Sequence, residues 1–240
     1  MTDAWTGSDA SPSLALLKTQ RSHVIFVLSH PTSGQETTFR VWYEGVYRQA
    51  LRAVPGVLKT QHYERHEVDI TRGQHVKLPF QYLGMYEIAV DGAESAGAVI
   101  EHITALHRAE SAAQAPATWV YYPVSECVGR APAAKPSLLT LAFANAVPGH
   151  EAEFREWYAT RHIRHALNIP ALVSGQCYER TQFQSPGAMP ADFSTIAVYA
   201  QEGTPESIIA SFDALPPGTF AFPTLDLRPS RFAEAVYRPL

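Results

Sequence analysis

Several features that often reveal a function are scarce or missing in this sequence of 240 residues. Its two cysteines, Cys127 and Cys177, are too few for a disulfide framework, and because both lie in apolar runs we interpret them as buried free thiols. No apolar run reaches the roughly 20 residues that a membrane-spanning helix needs. The first residues lack the basic and apolar regions of a secretory signal. We therefore expect a cytoplasmic protein that has no membrane partner.

Neither the charge balance nor any cofactor motif points to a particular class of ligand. The formal net charge is -4 and the isoelectric point is near 6.2, which gives no support for nucleic-acid binding. The phosphate-binding motifs G-x-G-x-x-G and G-K-[ST], the haem motif C-x-x-C-H and the hydrolase motif G-x-S-x-G are all absent. The histidine pairs His162/His165 and His62/His66 have possible metal spacings. No nearby Cys or carboxylate completes a set with the first pair, and the second lies on a predicted strand, where four residues span about 13 Å. We expect neither a metal ion nor another cofactor.

What the sequence does contain is an internal repeat. Residues 39–65 align with residues 154–180 without a gap, at an offset of 115 positions. Nine of the 27 aligned positions are identical, and they include a Phe, a Trp-Tyr pair, a Pro and a closing Tyr-Glu-Arg. Such self-similarity indicates a tandem duplication. The most informative mismatch is Tyr47, which stands where the second copy has His162.

Hydrophobic patterning predicts the same order of elements in both copies, β-α-β-β-α-β. Short β-branched runs predict strands, and apolar residues at helical spacing predict a helix that ends near Pro55 in the first copy. Ser33 and Glu36 have capping-box spacing, so this helix is expected to begin near Gly34. Thr204 is the expected N-cap of a later helix, and the polar stretch at 68–77 is expected to be a loop. Predicted strands lie at 24–28, 57–65, 80–90, 119–128, 138–144, 172–181, 193–201 and 231–237, and predicted helices at 34–54, 91–108, 150–168 and 205–215.

This order is that of a ferredoxin-like unit, whose four-stranded sheet carries helices on one face only. The open face of each sheet must be buried, and two units in one chain can bury these faces against each other. We therefore predict an α+β fold in which two tandem ferredoxin-like βαββαβ repeats form a pseudo-twofold α+β barrel within one chain. The predicted segments are a flexible arm at 1–18, a first repeat at 19–130, a linker at 131–137 and a second repeat at 138–240. Because the barrel can close within one chain, the protein can be a monomer or a homodimer.

The motif F-x-x-W-Y-x-x-x-H at 154–162, followed by Pro170 and by Tyr-Glu-Arg at 178–180, resembles the EthD-like branch of the dimeric α+β barrel superfamily. The resemblance covers nearly the whole chain as two tandem copies, although Ala171 stands where the family usually has glycine and Tyr47 replaces the histidine in the first copy. It implies the barrel fold and leaves the reaction open, because the superfamily includes isomerases, cyclases, monooxygenases and haem enzymes. Tandem members resemble enzymes of aromatic catabolism. One implied activity is the cis–trans isomerisation of a carboxylated ring-fission dienoate.

Four residues are candidates for proton transfer: His162, Tyr47, His30 and Tyr158. His162 is favoured, because imidazole titrates near neutral pH and because this slot differs between the two copies. Tyr47 fills the same slot in the first copy, and His30 ends a strand beside a helix N-terminus. The alternative for each is a structural role: a helix-face histidine, a loop cap, or a buried hydroxyl that hydrogen-bonds within the core.

Six further residues are candidates for substrate binding: Arg180, Arg65, Asn145, Tyr43, Trp157 and Tyr178. Either arginine would hold a substrate carboxylate through bidentate contacts. Strand alternation places each arginine on the same face as the tyrosine two residues before it. The alternatives are a structural ion pair for the arginines and a core position for the aromatic residues.

The sequence thus predicts a cofactor-free enzyme of small-molecule catabolism, and an isomerase that moves a proton on a carboxylated dienoate is the leading hypothesis. An ester hydrolase or a cofactor-independent oxygenase would use similar groups. A non-catalytic binding or stress-response module is the third possibility, in which the aromatic residues are simply core. A position of His162 in a solvent-connected pocket shared with other polar groups would favour an enzyme. A His162 that is sealed by aliphatic side chains, or that lies wholly on the surface, would favour the non-catalytic module.

Overall fold

The computed structural model describes residues 21–70, 73, 76–90, 93–130, 138–184, 193–216, 219, 222–228 and 231–240. The predicted arm at 1–18 and linker at 131–137 lie outside the described residues. The first repeat comprises β1 (Arg21–Ser29), α1 (Glu36–Trp42), the π-helical turn π1 (Tyr43–Tyr47), α2 (Arg48–Arg52), β2 (Val57–Arg65), β3 (Val76–Lys77), β4 (Tyr82–Val90), α3 (Ala93–Arg108), β5 (Ala117–Pro123) and β6 (Val128–Gly129). The second repeat comprises β7 (Leu138–Ala144), α4 (Glu151–Trp157), the π-helical turn π2 (Tyr158–His162), α5 (Ile163–Ala166), β8 (Leu172–Arg180), β9 (Thr195–Gln201), α6 (Pro205–Asp213) and β10 (Phe232–Pro239).

Eight of these strands form a closed ring, which confirms the predicted barrel. The order is β2-β4-β1-β5 in the first repeat and β8-β9-β7-β10 in the second. The repeats join at two antiparallel seams. At one seam β5 pairs with β8, with Tyr121 opposite Arg180, and at the other β10 pairs with β2, with Tyr237 opposite Arg65. The two seams therefore have the same geometry, as a pseudo-twofold axis requires.

The apolar side chains divide into three cores. One fills the barrel and is rich in aromatic rings, because alternate residues of all eight strands point inward. The other two lie outside the barrel, each between a sheet and the helices of its own repeat. No helix in the described part of the chain is long and apolar enough to cross a membrane.

The long helix of each repeat departs from the regular α-helix that the sequence predicts. Helical residues run continuously over 36–52 and over 151–166, and each run contains a π-helical turn in its middle. The two turns, π1 and π2, fall at the same offset of 115 positions. Tyr47 and His162 are the last residues of these turns. Since π-helical turns are rare and occur often at functional sites, the mismatched slot occupies a distinctive place in the fold.

The starts of these helices also differ from the predicted capping box. Gln35 occupies the N-cap position of α1, and its side chain makes no capping hydrogen bond. The carboxylate of Glu36 instead accepts the N–H of Gly34 at 3.1 Å, and Glu151 accepts the N–H of Gly149 at the same distance. Both glycines have positive φ, which their lack of a Cβ allows. The repeated turn is therefore set by glycine and glutamate.

Three local predictions are wrong and two are confirmed. Cys127 is exposed, because it lies in the turn between β5 and β6, whereas Cys177 is buried as expected. The predicted loop at 68–77 ends in β3, which pairs in parallel with β10. The predicted strand at 119–128 is broken into β5 and β6 where the chain leaves the ring. Thr204 does cap α6, since its side chain accepts the N–H of Ser207 at 3.3 Å.

Candidate active site

A cavity of about 830 Å³ opens at the seam between β2 and β10. These strands pair over only three residues, because the chain turns away after β2 and returns as β3 beside β10. Charged and titratable residues of both repeats line the cavity: Arg65, His66 and Asp69 come from the first, and Glu234 and Arg238 come from the second. The cavity therefore exists only after the two repeats have joined.

Glu234 is a partly buried carboxylic acid in the wall of this cavity. On β10 it alternates with Ala233 and Ala235, which belong to the barrel core, so its side chain faces the outer layer of the second repeat. It makes no hydrogen bond or ion pair with the residues that the structure describes. Burial, and then repulsion from Asp69, raises the pKa of its carboxyl to about 7. Both protonation states are thus populated near neutral pH, as a general acid or base requires.

Two tyrosines of the outer layer lie close enough to Glu234 for its charge to affect their pKa values. Burial is the largest effect on Tyr158 and Tyr199, and the charge of Glu234 contributes to raising the pKa of both well above the ordinary value. The Tyr158 hydroxyl donates to the Ala142 carbonyl at 3.2 Å. The Tyr199 hydroxyl is buried and has no hydrogen-bond partner within the described ranges. Tyr199 belongs to the outer-layer core of the second repeat and does not line the cavity.

The two arginines of the cavity differ in what they bind. Arg238 is engaged with Glu64 through Nε at 3.1 Å and through Nη2. Arg65 forms no ion pair with a described residue, and its charge acts on His30, whose pKa is lowered first by burial and then by Arg65. A guanidinium that lacks a carboxylate partner matches the planar geometry of a substrate carboxylate. Arg65 is thus the candidate anion-binding group of the cavity.

His162 lies at the end of π2 among aromatic rings. Its ring stacks on Tyr158 at 4.8 Å with an interplanar angle of 7°, and it lies 4.7 Å from the ring of Trp157. Trp157 in turn stacks on Phe222 at 4.2 Å. Burial, followed by the charge of His165, lowers the pKa of His162 to about 4. The imidazole is therefore neutral at physiological pH, and its predicted catalytic role stays a prediction.

Two of the predicted binding residues have structural hydrogen bonds. The side chain of Asn145 donates to the Arg231 carbonyl at 3.1 Å and accepts the Ser194 N–H at 2.9 Å. The Tyr178 hydroxyl donates to Gln176 at 2.8 Å inside the barrel. These contacts join neighbouring segments of the second repeat, which is the structural alternative for both residues.

The remaining predicted residues fall into separate groups. Arg65 and His30 come together at the cavity end of the barrel, as the electrostatic effect of one on the other shows. Arg180 is exposed at the opposite seam. Tyr43 and Tyr47 are buried in the outer layer of the first repeat, with their rings stacked at 5.7 Å. The structure therefore does not gather all the predicted residues into one site.

Glu234 was missed by sequence reasoning, and the strand register shows what signal was present. Val27 pairs with Thr118, and Ala142, at the equivalent position of the second repeat, pairs with Glu234. Glu234 thus stands where the first repeat has Thr118. A carboxylic acid that replaces a neutral residue at an outward position of an otherwise apolar strand is a detectable mismatch between the copies.

The described residues contain no group of three or more His, Cys, Asp or Glu side chains that could hold a metal ion. His62 and His66, one of the two histidine pairs with a possible metal spacing, lie in different parts of the structure. His62 faces the helices of the first repeat, 4.5 Å from the ring of Tyr43, whereas His66 lines the cavity and its Nδ1 accepts the Val68 N–H at 3.1 Å. The absence of a metal or other cofactor stays a prediction.

No protein-family model and no curated protein matches the sequence, but solved structures share its fold. An anthrone oxidase-like protein superposes with a TM-score of 0.59 and 9% identity over 92% of each chain. A candidate monooxygenase from Fusobacterium nucleatum gives 0.54 and 8%, over 91% of this chain and 92% of that one. A chlorite dismutase variant from Candidatus Nitrospira defluvii gives 0.53 and 9%, over 96% and 95%. At such identities the likeness shows the fold alone, an α+β barrel built from two ferredoxin-like repeats.

Proposed function

We propose that the protein is a cofactor-free isomerase that moves a proton on a small, carboxylated, unsaturated molecule bound in the seam cavity. The observation that carries this proposal is Glu234: a carboxyl with a pKa near neutrality lines an open cavity that also contains Arg65. Proton transfer by a positioned group of this kind typically accelerates a reaction by about 10²- to 10⁴-fold. The same arrangement gives no advantage to a purely structural module.

The roles of the groups follow from their chemistry. Arg65 binds the substrate carboxylate, and ionised Glu234 removes a proton from the adjacent carbon or enol oxygen. In a conjugated dienoate, this transfer turns a fixed double bond into a single bond. Rotation and return of the proton from Glu234 then complete a cis–trans isomerisation.

A cofactor-independent oxygenase is the second candidate. It is favoured by the names of two proteins that share the fold, an anthrone oxidase-like protein and a candidate monooxygenase. An enolate formed by the same base can react with dioxygen instead of being reprotonated. Arg65 and Glu234 would have the same roles in both reactions until the enolate has formed.

The test is the turnover of carboxylated ring-fission dienoates. Loss of substrate is followed by ultraviolet absorbance in D₂O, and oxygen consumption is measured separately with an oxygen electrode. An isomerase is expected to incorporate deuterium without consuming oxygen, and an oxygenase is expected to consume it. Glu234→Gln should lower kcat at least 100-fold. The matched control is Glu126→Gln, an exposed carboxylate near the other seam, which should keep full activity. Turnover of Glu234→Gln within tenfold of the wild type would remove Glu234 from the mechanism.

A further inference from the structure

One edge of strand β2 is open over residues 58–61 in the part of the chain that the structure describes. β2 pairs with β4 along one side, and on its other side it pairs with β10 only from Tyr63 to Arg65. Next to this pairing, the His62 carbonyl accepts the Leu240 N–H at 2.9 Å, and from there to residue 58 no described residue hydrogen-bonds the edge. An unpaired strand edge presents a row of backbone donors and acceptors that can bind another extended chain.

The second repeat shows what such an edge can hold. Its equivalent strand β8 pairs antiparallel with β6, which lies opposite Ser174 and Gly175. Immediately after β6, the Arg130 N–H donates to the Val173 carbonyl at 2.9 Å. By the offset of 115 positions, these residues of β8 correspond to residues 58–60 of β2. A short antiparallel strand therefore fits this geometry.

The burial of the two edges differs accordingly. Residues 172–175 of β8 are all buried, whereas residues 57–60 of β2 are exposed or half-buried. Val173 has an exposed fraction of 6%, and its counterpart Leu58 has one of 45%. Because the two strands occupy equivalent places in the barrel, the difference arises from β6, which has no counterpart on β2 among the described residues.

The helix beside the open edge has two arginines where the second repeat has apolar residues. In the second repeat α5 contacts β6, and a Cβ placed on Gly129 would lie 3.1 Å from the side chain of Leu167. In the first repeat α2 packs on β2, and its residues Arg48 and Arg52 stand at the positions of Ile163 and Leu167. Side chains four residues apart lie on one face of a helix. The space beside the edge of β2 therefore has a cationic wall instead of an apolar one.

These two arginines are not neutralised by the residues that the structure describes. Neither forms an ion pair or a hydrogen bond with a described residue, and the Nε of Arg48 is buried. Burial is the main cause of the low pKa of His62, and the charges of Arg48 and then Arg52 lower it further, so both guanidiniums lie close to β2. A carboxylate is the group that best satisfies an unpaired guanidinium. A second copy of this chain is disfavoured, because pairing of β2 with β2 would bring the arginines of both copies together.

We propose that the open edge of β2, together with Leu58, Arg48 and Arg52, is a docking site for an extended acidic segment of a partner protein. The segment adds to the barrel as a short antiparallel strand, as β6 does in the second repeat. Its backbone pairs with residues 58–60, and its carboxylates bind the two arginines. The site lies at the opposite end of β2 from the seam cavity, whose lining begins at Glu64, so it is independent of the isomerase function.

The test titrates the whole protein into a short fluorescent peptide of alternating glutamate and valine, and binding is followed by fluorescence anisotropy. The wild type is expected to bind this peptide saturably, and to bind a peptide with glutamine in place of glutamate at least tenfold more weakly. Arg52→Glu should weaken binding at least tenfold. The matched control is Arg164→Glu, an exposed arginine on the equivalent helix of the second repeat, which should leave binding unchanged. Both changes are at exposed positions, so both variants are expected to fold.

Hydrogen exchange separates strand pairing from simple attraction between charges. The backbone amides of Leu58 and Thr60 are expected to exchange rapidly in the free protein and at least tenfold more slowly in the peptide complex. No saturable binding, equal binding of the glutamine peptide, wild-type binding by Arg52→Glu, or amides that the peptide does not protect would overturn the proposal. Equal loss of binding in Arg164→Glu would place the peptide elsewhere. Slow exchange of both amides in the free protein would show that a second copy or another part of the chain already covers the edge, and would also refute it.

Discussion

Replacing Glu234 by glutamine is expected to stabilise the protein, and to do so increasingly as the pH rises. The ordinary pKa of the carboxyl is 4.5, and in the folded protein it is raised to about 7. At a pH below both values, the group is protonated in the folded and unfolded states, so it does not affect stability. At a pH between the two pKa values, the carboxyl is ionised in the unfolded chain, whereas it keeps its proton in the folded protein. Stability therefore falls as the pH rises through this window.

The size of the effect follows from the separation of the two pKa values. Each pKa unit corresponds to about 1.4 kcal/mol, so the ionised carboxyl lowers the free energy of unfolding by at most about 3 kcal/mol above pH 7. Glutamine has a similar shape and no charge. The variant should match the wild type at about pH 4 and exceed it by up to about 3 kcal/mol at about pH 8. Stability gained at the expense of activity is the usual relation for a functional group held in a strained environment.

The measurement is urea denaturation of both proteins at the two pH values. The charged groups that face Glu234 around the cavity, Arg65, His66, Asp69 and Arg238, are present in both proteins, so their contributions cancel in the difference. The matched control is Glu67→Gln, an exposed carboxylate that also lines the cavity, which should change stability by less than about 0.5 kcal/mol at either pH. A Glu234→Gln difference that is the same at both pH values would refute the reasoning.

Three further predictions concern the scaffold. His107→Phe is expected to lower the midpoint of acid unfolding, measured by circular dichroism, because the depressed pKa of about 4 makes the histidine destabilising as the pH falls below 6.5; an unchanged midpoint would contradict this. Tyr121→Phe removes the 2.8 Å hydrogen bond to the Phe193 carbonyl and should lower the free energy of unfolding by about 1 kcal/mol in urea, whereas no loss would show that the bond is dispensable. Gly84→Ala places a Cβ 1.9 Å from the Tyr86 hydroxyl and should lower the melting temperature through a loss of about 1–3 kcal/mol, and an unchanged melting temperature would show that the ring moves freely.

The order of strands and helices could be read from the sequence because it depends on local periodicity. The predicted strand at 57–65 coincides with β2, and that at 138–144 coincides with β7. The barrel was also accessible, since two sheets with one open face each have few ways to bury them. The π-helical turns could not be predicted from the sequence, because the spacing of apolar residues does not distinguish an α-helical turn from a π-helical one. Contacts of π1 and π2 with the sheets decide that difference.

The site was less accessible than the fold. Comparison of the two copies singled out the position of Tyr47 and His162, which ends a π-helical turn in each repeat, and it named Arg65 as an anion-binding candidate. It did not find Glu234, because that residue lies far from Arg65 in the chain and outside the aligned stretch. The residues near Glu234 in the sequence do not indicate that a distant strand will bury it.

The sequence by itself determined that the chain is a duplication, in what order its elements come, and where the two copies differ. Only the tertiary structure decided which of those differences share a cavity. The physical reason is that a pKa depends on desolvation and on neighbouring charges. For Glu234 the desolvation comes with the packing of its own repeat, and the neighbouring charge arises only when β10 closes on β2 and Asp69 is brought beside it.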